Sequence, residues 1–96
     1  MRRLRYSRKA LRDLRDNWTY SADRWGRPQA NRYVEAIRAV IGALPEGRAV
    51  TSSAEDVWPG TRRARSGRHV IYFRETEEAV EVIRVLHQRM DAGRWV

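Results

Sequence analysis

The chain has no cysteine, only two histidines, His69 and His87, and no lysine after Lys9. Without cysteine there is neither a disulfide framework nor a thiolate for metal binding or nucleophilic attack, which fits a reducing, cytoplasmic setting. Two histidines separated by a whole strand hairpin do not make a metal-ligand set, so no metal and no cofactor is expected. A glycine-rich phosphate loop, an acid-rich metal site and a Ser–His–Asp order are all missing, which sets aside the common metalloenzyme and serine-hydrolase chemistries. Long apolar runs are missing as well, so no membrane partner is expected. The opening "MRRLRYSRKALRDLR" has adjacent arginines, but more charge follows them instead of an apolar core, and a secretory or twin-arginine leader does not fit.

What is present is enough apolar surface to fold. Hydrophobic residues make up 42% of the 96, with four Trp and four Tyr, although a third of the chain is charged. A chain of this length holds one hydrophobic core, so residues 1–96 are expected to form a single two-layer domain. The formal net charge is +8, carried almost wholly by arginine. The planar guanidinium binds carboxylate or phosphate through paired hydrogen bonds and stacks on rings, so the partner should be acidic, either nucleic acid or protein.

The pattern predicts strand, helix, helix and then three strands. In "RRLRYS", Leu4 and Tyr6 alternate with arginine up to Ser7, which reads as a short strand followed by a helix N-cap. Leu11, Leu14, Trp18, Ser21 or Ala22, and Trp25 then recur at three- and four-residue steps, predicting an amphipathic helix that ends near Gly26. Pro28 suits the first turn of a second helix, whose stripe is Ala30, Tyr33 or Val34, Ile37, Ile41 and Leu44. The short "WGRP" connection makes the two a hairpin. "PEGRAVTSSAEDVWPG" shows no period and reads as a loop to Gly60. "TRRARS" and "RHVIYFRE" read as strands joined at Ser66-Gly67, and "AVEVIRVLH" as the last strand, apolar on both faces and hence interior. A helix hairpin packed on one face of an antiparallel-rich sheet, followed by a short tail, is an α+β fold of order β-α-α-β-β-β.

Charge placement is the strongest chemical feature. Residues 1–15 carry seven cations against Asp13 alone, and residues 60–74 carry Arg62, Arg63, Arg65, Arg68 and Arg74 without an acid. If the first strand adjoins the later hairpin, these arginines form one cationic surface that attracts phosphate; a solvated basic face with no dedicated ligand is the bland alternative. For cleavage of RNA through the ribose 2′-OH, Arg62, Arg63, Arg74 and Arg84 offer charge and His87 an acid, with Tyr72 a poorer one, but a convincing base is missing. Beside that reading stands His87 as a structural group at a strand end, donating to a backbone carbonyl. Helical spacing assigns Trp18, Tyr20, Trp25 and Tyr33 to the core and the helix seam. Trp58 and Trp95 lie beside a loop and a terminus, where a partner or the chain's own sheet would cover them.

The segments "DLRDNWTYSADRWG", "QANRY", "PGTRRARSGRHVIYFR" and "VIRVLHQRMD" together resemble the ParE toxins of the RelE/ParE superfamily over nearly the whole chain. The resemblance implies a bacterial toxin of a type II toxin–antitoxin operon, neutralised by a ParD-like antitoxin in a hetero-oligomer such as a heterotetramer. Operator DNA would be reached only through the antitoxin. An acidic, amphipathic antitoxin segment folding across the toxin would meet the arginines. ParE toxins are associated with poisoning DNA gyrase and RelE relatives with cutting messenger RNA in the ribosome, and fold does not choose between them. Here the tail after His87 has no tyrosine and the sheet no lysine, which favours the gyrase reading and a toxin that is not itself an enzyme. The chain departs from the family pattern at Arg8, at Trp58 and along residues 46–56.

Three functions are therefore carried forward: a gyrase poison, an endoribonuclease that would use Arg62, Arg63, Arg84 and His87, and an antitoxin-binding module without toxicity. Charge clustering and expected exposure nominate Arg5, Arg12, Trp58, Arg62, Arg63 and Arg74 for the antitoxin. The tail residues Arg89, Met90, Arg94 and Trp95 are nominated for the target, because a terminus past the last strand is free to reach a partner.

Overall fold

In a computed structural model, which describes residues 2–94, the chain runs β1 (Arg3–Tyr6), α1 (Arg8–Trp25), α2 (Arg27–Ala43), β2 (Thr51–Ser53), β3 (Arg62–Ser66), β4 (His69–Glu75), β5 (Ala79–His87) and a 3₁₀ turn at Ala92–Arg94. The five strands form one sheet in the order β1-β5-β4-β3-β2. Strands β2 to β5 pair antiparallel with their neighbours, whereas β1 lies parallel to β5.

Ser7 makes the first turn of the chain. Its hydroxyl accepts from the Ala10 amide at 2.9 Å, capping α1, and donates to the Ile83 carbonyl at 2.6 Å, tying the cap to β5. At the far end Gly26, with φ of 89°, ends α1 and begins α2. That left-handed backbone suits glycine, and Pro28 in the first turn of α2 removes an amide that would have had no partner.

Burial on α1 departs from the expected stripe. Ala10, Leu14 and Ser21 are buried, whereas Leu11, Tyr20 and Trp25 are 49%, 53% and 61% exposed. Close approach of α1 to β5 and α2 favours small side chains on the inward face, and the larger ones are displaced outward. Between the helices and the sheet lie Leu14, Ile37, Ile41, Ile71, Phe73, Val80, Val82 and Val85. Each large apolar side chain buried there contributes about 1.5–3 kcal/mol.

The opposite face of the sheet is also covered. Ala54, Trp58, Val70, Tyr72, Leu86 and Ala92 form a second cluster, with Val57 and Met90 against it. The segment read as loop supplies Trp58 and also contains β2, which pairs Thr51 with Ala64 and Ser53 with Arg62. Three polar residues have no period to reveal them; pairing with β3 makes this edge strand.

A bulge in β5 explains its double-faced appearance. Phe73 pairs with Val82 but Tyr72 with Arg84, leaving Ile83 as the extra residue. Val80, Val82 and Val85 consequently all reach the helix-side core, while Leu86 serves the other face.

Candidate functional site

The second half of α1, the start of α2, the β3–β4 turn, the end of β5 and the tail surround an open cleft of about 1230 Å³. Its back wall is fixed by one buried ion pair. Arg84 donates through Nε and Nη2 to the two carboxylate oxygens of Asp13, each at 2.8 Å, and the Val85 amide donates to Asp13 Oδ2 at 2.9 Å. The Asp13 hydrogen bond holds the Arg84 pKa above its ordinary value, against the opposing effect of burial.

Two histidines lie beside this pair. His69 opens β4 and His87 closes β5, and they are register partners whose rings meet edge to face with centroids 5.4 Å apart. Tyr33 Oη lies 2.7 Å from His69 Nδ1 and accepts the Arg68 amide proton at 3.3 Å, leaving its own proton for the imidazole. Gly67, with φ of 57°, permits this approach: a Cβ there would stand 3.3 Å from the tyrosine oxygen. Burial, followed by the neighbouring His87, lowers the His69 pKa to about 4, with Asp13 pulling weakly the other way. His69 is therefore neutral at physiological pH.

Among the described residues His87 donates to no backbone carbonyl, against expectation. Its Nδ1 accepts the Arg89 amide proton at 3.1 Å, so in the neutral ring the proton sits on Nε2. It lines the open cleft with Lys9, Arg12, Arg24, Arg68, Arg89 and Arg94. Tyr20 and Trp25 stand there edge to face at 6.2 Å, with the Arg24 guanidinium 4.9 Å from the Tyr20 ring centre. These two aromatic rings are surface groups, not core, which corrects the reading from helical spacing. Trp18 does use the helix seam, donating from Nε1 to Asn31 at 2.7 Å.

The other nominated residues are dispersed. Arg5 and Arg74 flank Glu81 across β1, β5 and β4 and make no ion pair with a described residue. β1 adjoins β5 instead of the β3–β4 hairpin, and Glu81 interrupts the expected continuous cationic surface. Arg62 donates to Thr51 at 3.0 Å and stands 3.6 Å from Glu75, while Arg63 pairs with Asp56 at 2.5 Å and lies over the Tyr72 ring. The conditional catalytic set Arg62, Arg63, Arg84 and His87 is thus not assembled. Arg62 and Arg63 pair with Phe73 and Tyr72 along β4, whereas His87 pairs with its first residue.

Trp58 is only 7% exposed and packs edge to face on Tyr72 at 4.9 Å, so of the two covers open to it the chain's own sheet is the one found, and the indole anchors its loop instead of offering an exposed antitoxin contact. The tail is likewise docked, not free. Met90 packs against the second cluster, Ala92 is buried, and Arg89 and Arg94 line the cleft. Trp95 lies outside the described residues. Sequence reasoning counted Arg68 only within the charge cluster and nominated neither His69 nor Arg24, because one begins a strand after a turn and the other lies on the surface of a helix.

The fold is shared with the solved structure titled "Chromosomal ParDE TA system from P. aeruginosa", at TM-score 0.76 and 22% identity over 91% of this chain and 96% of that one. It is shared with YafQ from E. coli at TM-score 0.67 and 14% identity, covering 92% and 94% of the two chains. Sequence defines the family more narrowly: residues 4–92 match "ParE toxin of type II toxin-antitoxin system, parDE", and the chain belongs to this family. Toxin ParE1 of Caulobacter vibrioides is 44% identical over 92 residues, 96% of this chain and 95% of the relative. Toxin ParE1 of Mycobacterium tuberculosis is 34% identical over 82 residues, 84% of each. The chain is the toxin component of a type II toxin–antitoxin system, and an antitoxin is its partner. Among the described residues no helix is long and apolar enough to cross a membrane.

Proposed function

We propose that this toxin works in the bacterial cytoplasm by poisoning DNA gyrase, without hydrolysis of its own, and that a ParD-like antitoxin neutralises it in a hetero-oligomer. The observation that carries the reading is the separation of Arg62 and Arg63 from His87, the acid that RNA cleavage would use. Arg62 and Arg63 are held by Glu75, Thr51 and Asp56 at one end of the sheet, Arg84 is held by Asp13, and His87 stands at the other end. His69, the one other imidazole, stays neutral and has its Nδ1 occupied by Tyr33, which makes it a poor general acid.

The test is purified gyrase acting on plasmid, read for supercoiling and for trapped cleaved DNA, beside a translation reaction probed for cut messenger. Inhibited supercoiling or trapped cleavage with intact messenger supports the proposal. One observation favours endoribonuclease activity as a second reading: His87 lines an open cationic cleft with its Nε2 proton available in the neutral ring. Codon-positioned messenger cuts that vanish in His87→Ala, with gyrase unaffected, would establish that reading and overturn the first.

A further inference from the structure

We infer that the elbow of the helix hairpin, built on Tyr20, Arg24 and Trp25, is the surface with which the toxin grips gyrase, docking on an acidic face of the enzyme's own protein that has an apolar recess for the indole. This rests on the gyrase reading above and names the contact that reading leaves open.

A poison that cleaves nothing has only surface contacts with which to hold its target. Residues that carry most of the energy of such contacts are enriched in tryptophan, tyrosine and arginine. Among the described residues five large hydrophobic side chains are exposed: Leu4, Leu11, Tyr20, Trp25 and Val50. Two of the five are aromatic, and these two touch. The Tyr20 and Trp25 rings meet edge to face at 6.2 Å, with the Arg24 guanidinium 4.9 Å from the Tyr20 ring centre. Neither ring belongs to either hydrophobic cluster, so core packing does not account for them.

The rings are also held in place before any partner arrives. Trp25 is the last residue of α1, Gly26 turns the chain with φ of 89°, and Pro28 stands in the first turn of α2. A rigid elbow loses little conformational freedom when a partner covers it, which favours affinity.

The charge around the rings selects the partner's chemistry. Arg24, Arg68, Arg89 and Arg94 line the cleft that Tyr20 and Trp25 border, and none forms an ion pair with a described residue. Unmatched arginines of one sign fit an acidic protein face. The tail arginines expected at the target thus reach the same place as the aromatic pair, although the tail is docked. Arg5 and Arg74, expected at the antitoxin, line a different recess with Glu77, Glu78 and Glu81, so the elbow is not part of that patch.

The experiment measures binding of the fluorescently labelled full chain to purified gyrase holoenzyme without DNA, beside inhibition of supercoiling. Trp25→Ala should weaken both by about thirtyfold, the size of loss that marks a hot spot, and Trp25→Phe should recover part of it. Arg24→Glu should weaken binding at low salt, with the deficit shrinking as ionic strength rises. Val50→Ala removes a side chain that is 93% exposed next to β2 and should match the wild type in both assays. Circular dichroism and affinity for the cognate antitoxin should be unchanged in every variant. Trp25→Ala indistinguishable from a wild-type chain that does inhibit gyrase overturns the inference and leaves the gyrase reading standing. A wild-type chain without effect on gyrase overturns that reading, and the inference falls with it. Binding that appears only when DNA is present, or a thirtyfold loss of antitoxin affinity in Trp25→Ala, assigns the elbow to DNA or to the antitoxin and overturns the inference as well.

Discussion

His69 is neutral in the folded chain through a pH range where a free imidazole is charged. Its pKa falls from 6.5 to about 4, first because it is buried and then because His87 lies beside it. Between those two values the unfolded chain binds the extra proton, so stability rises with pH across the window. The contribution is complete above pH 6.5 and is lost progressively as pH falls towards 4. With allowance for solvent at a half-buried ring, the loss is on the order of 2 kcal/mol. Urea denaturation at several pH values between 7 and 4 should show this decline. His69→Gln, which keeps an acceptor for the Tyr33 hydroxyl but does not titrate, should show a shallower one. Parallel declines in the two proteins would mean that His69 is not the source. The pairing of the histidines was open to inference from the chain: His69 and His87 lie nine residues either side of Glu78, the middle of an acid-rich turn. What hid it was that His69 began one expected strand, "RHVIYFRE", and His87 ended another, "AVEVIRVLH", with no register assigned between them.

At the level of elements, Asp13 joins α1 to the bulged strand. One carboxylate accepts three protein donors, two from Arg84 and one from the Val85 amide. Both side chains of the pair are nearly inaccessible, at 10% and 13% exposure, so removing the carboxylate takes two charge-assisted hydrogen bonds from a guanidinium held out of water. Asp13→Asn is expected to destabilise the fold by about 3 kcal/mol, read as a lowered urea midpoint with unchanged slope. A change within a few tenths would show that the pair is dispensable. The elements themselves were legible wherever periodicity and punctuation agreed, as at Ser7, Gly26 and Pro28. Legibility failed where tertiary contact decides. β2 is three polar residues recruited by β3, and the bulge at Ile83 makes an ordinary β-branched run change faces midway. On α1 the apolar period was correct as helix but misleading as depth, because Ala10 and Ser21 pack closely where Leu11 and Trp25 do not fit.

Across the whole molecule the net charge of +8 divides into separate fields. Cluster composition was visible in the sequence, but strand order was not, and order decides which arginines meet. Because β1 enters beside β5, Arg5 and Arg74 come to lie around Glu81, while Arg12 joins the tail cations in the cleft. Arg62 and Arg63 are largely matched within the chain, which leaves Arg5 and Arg74 as the better candidates for first contact with an acidic antitoxin segment. Exposed rim charges act mainly on encounter, raising association rates in a salt-dependent way, whereas dissociation reflects buried contacts. Arg5→Glu with Arg74→Glu should therefore slow association with the cognate antitoxin by about tenfold at low salt. Dissociation should change little, and the difference should shrink as ionic strength passes about 0.15 M, where the Debye length is about 8 Å. Surface plasmon resonance across a salt series reads both rates. An unchanged association rate would move the site of encounter away from the β1 edge, and the same reversal at Arg12 would then ask whether antitoxin approaches through the cleft.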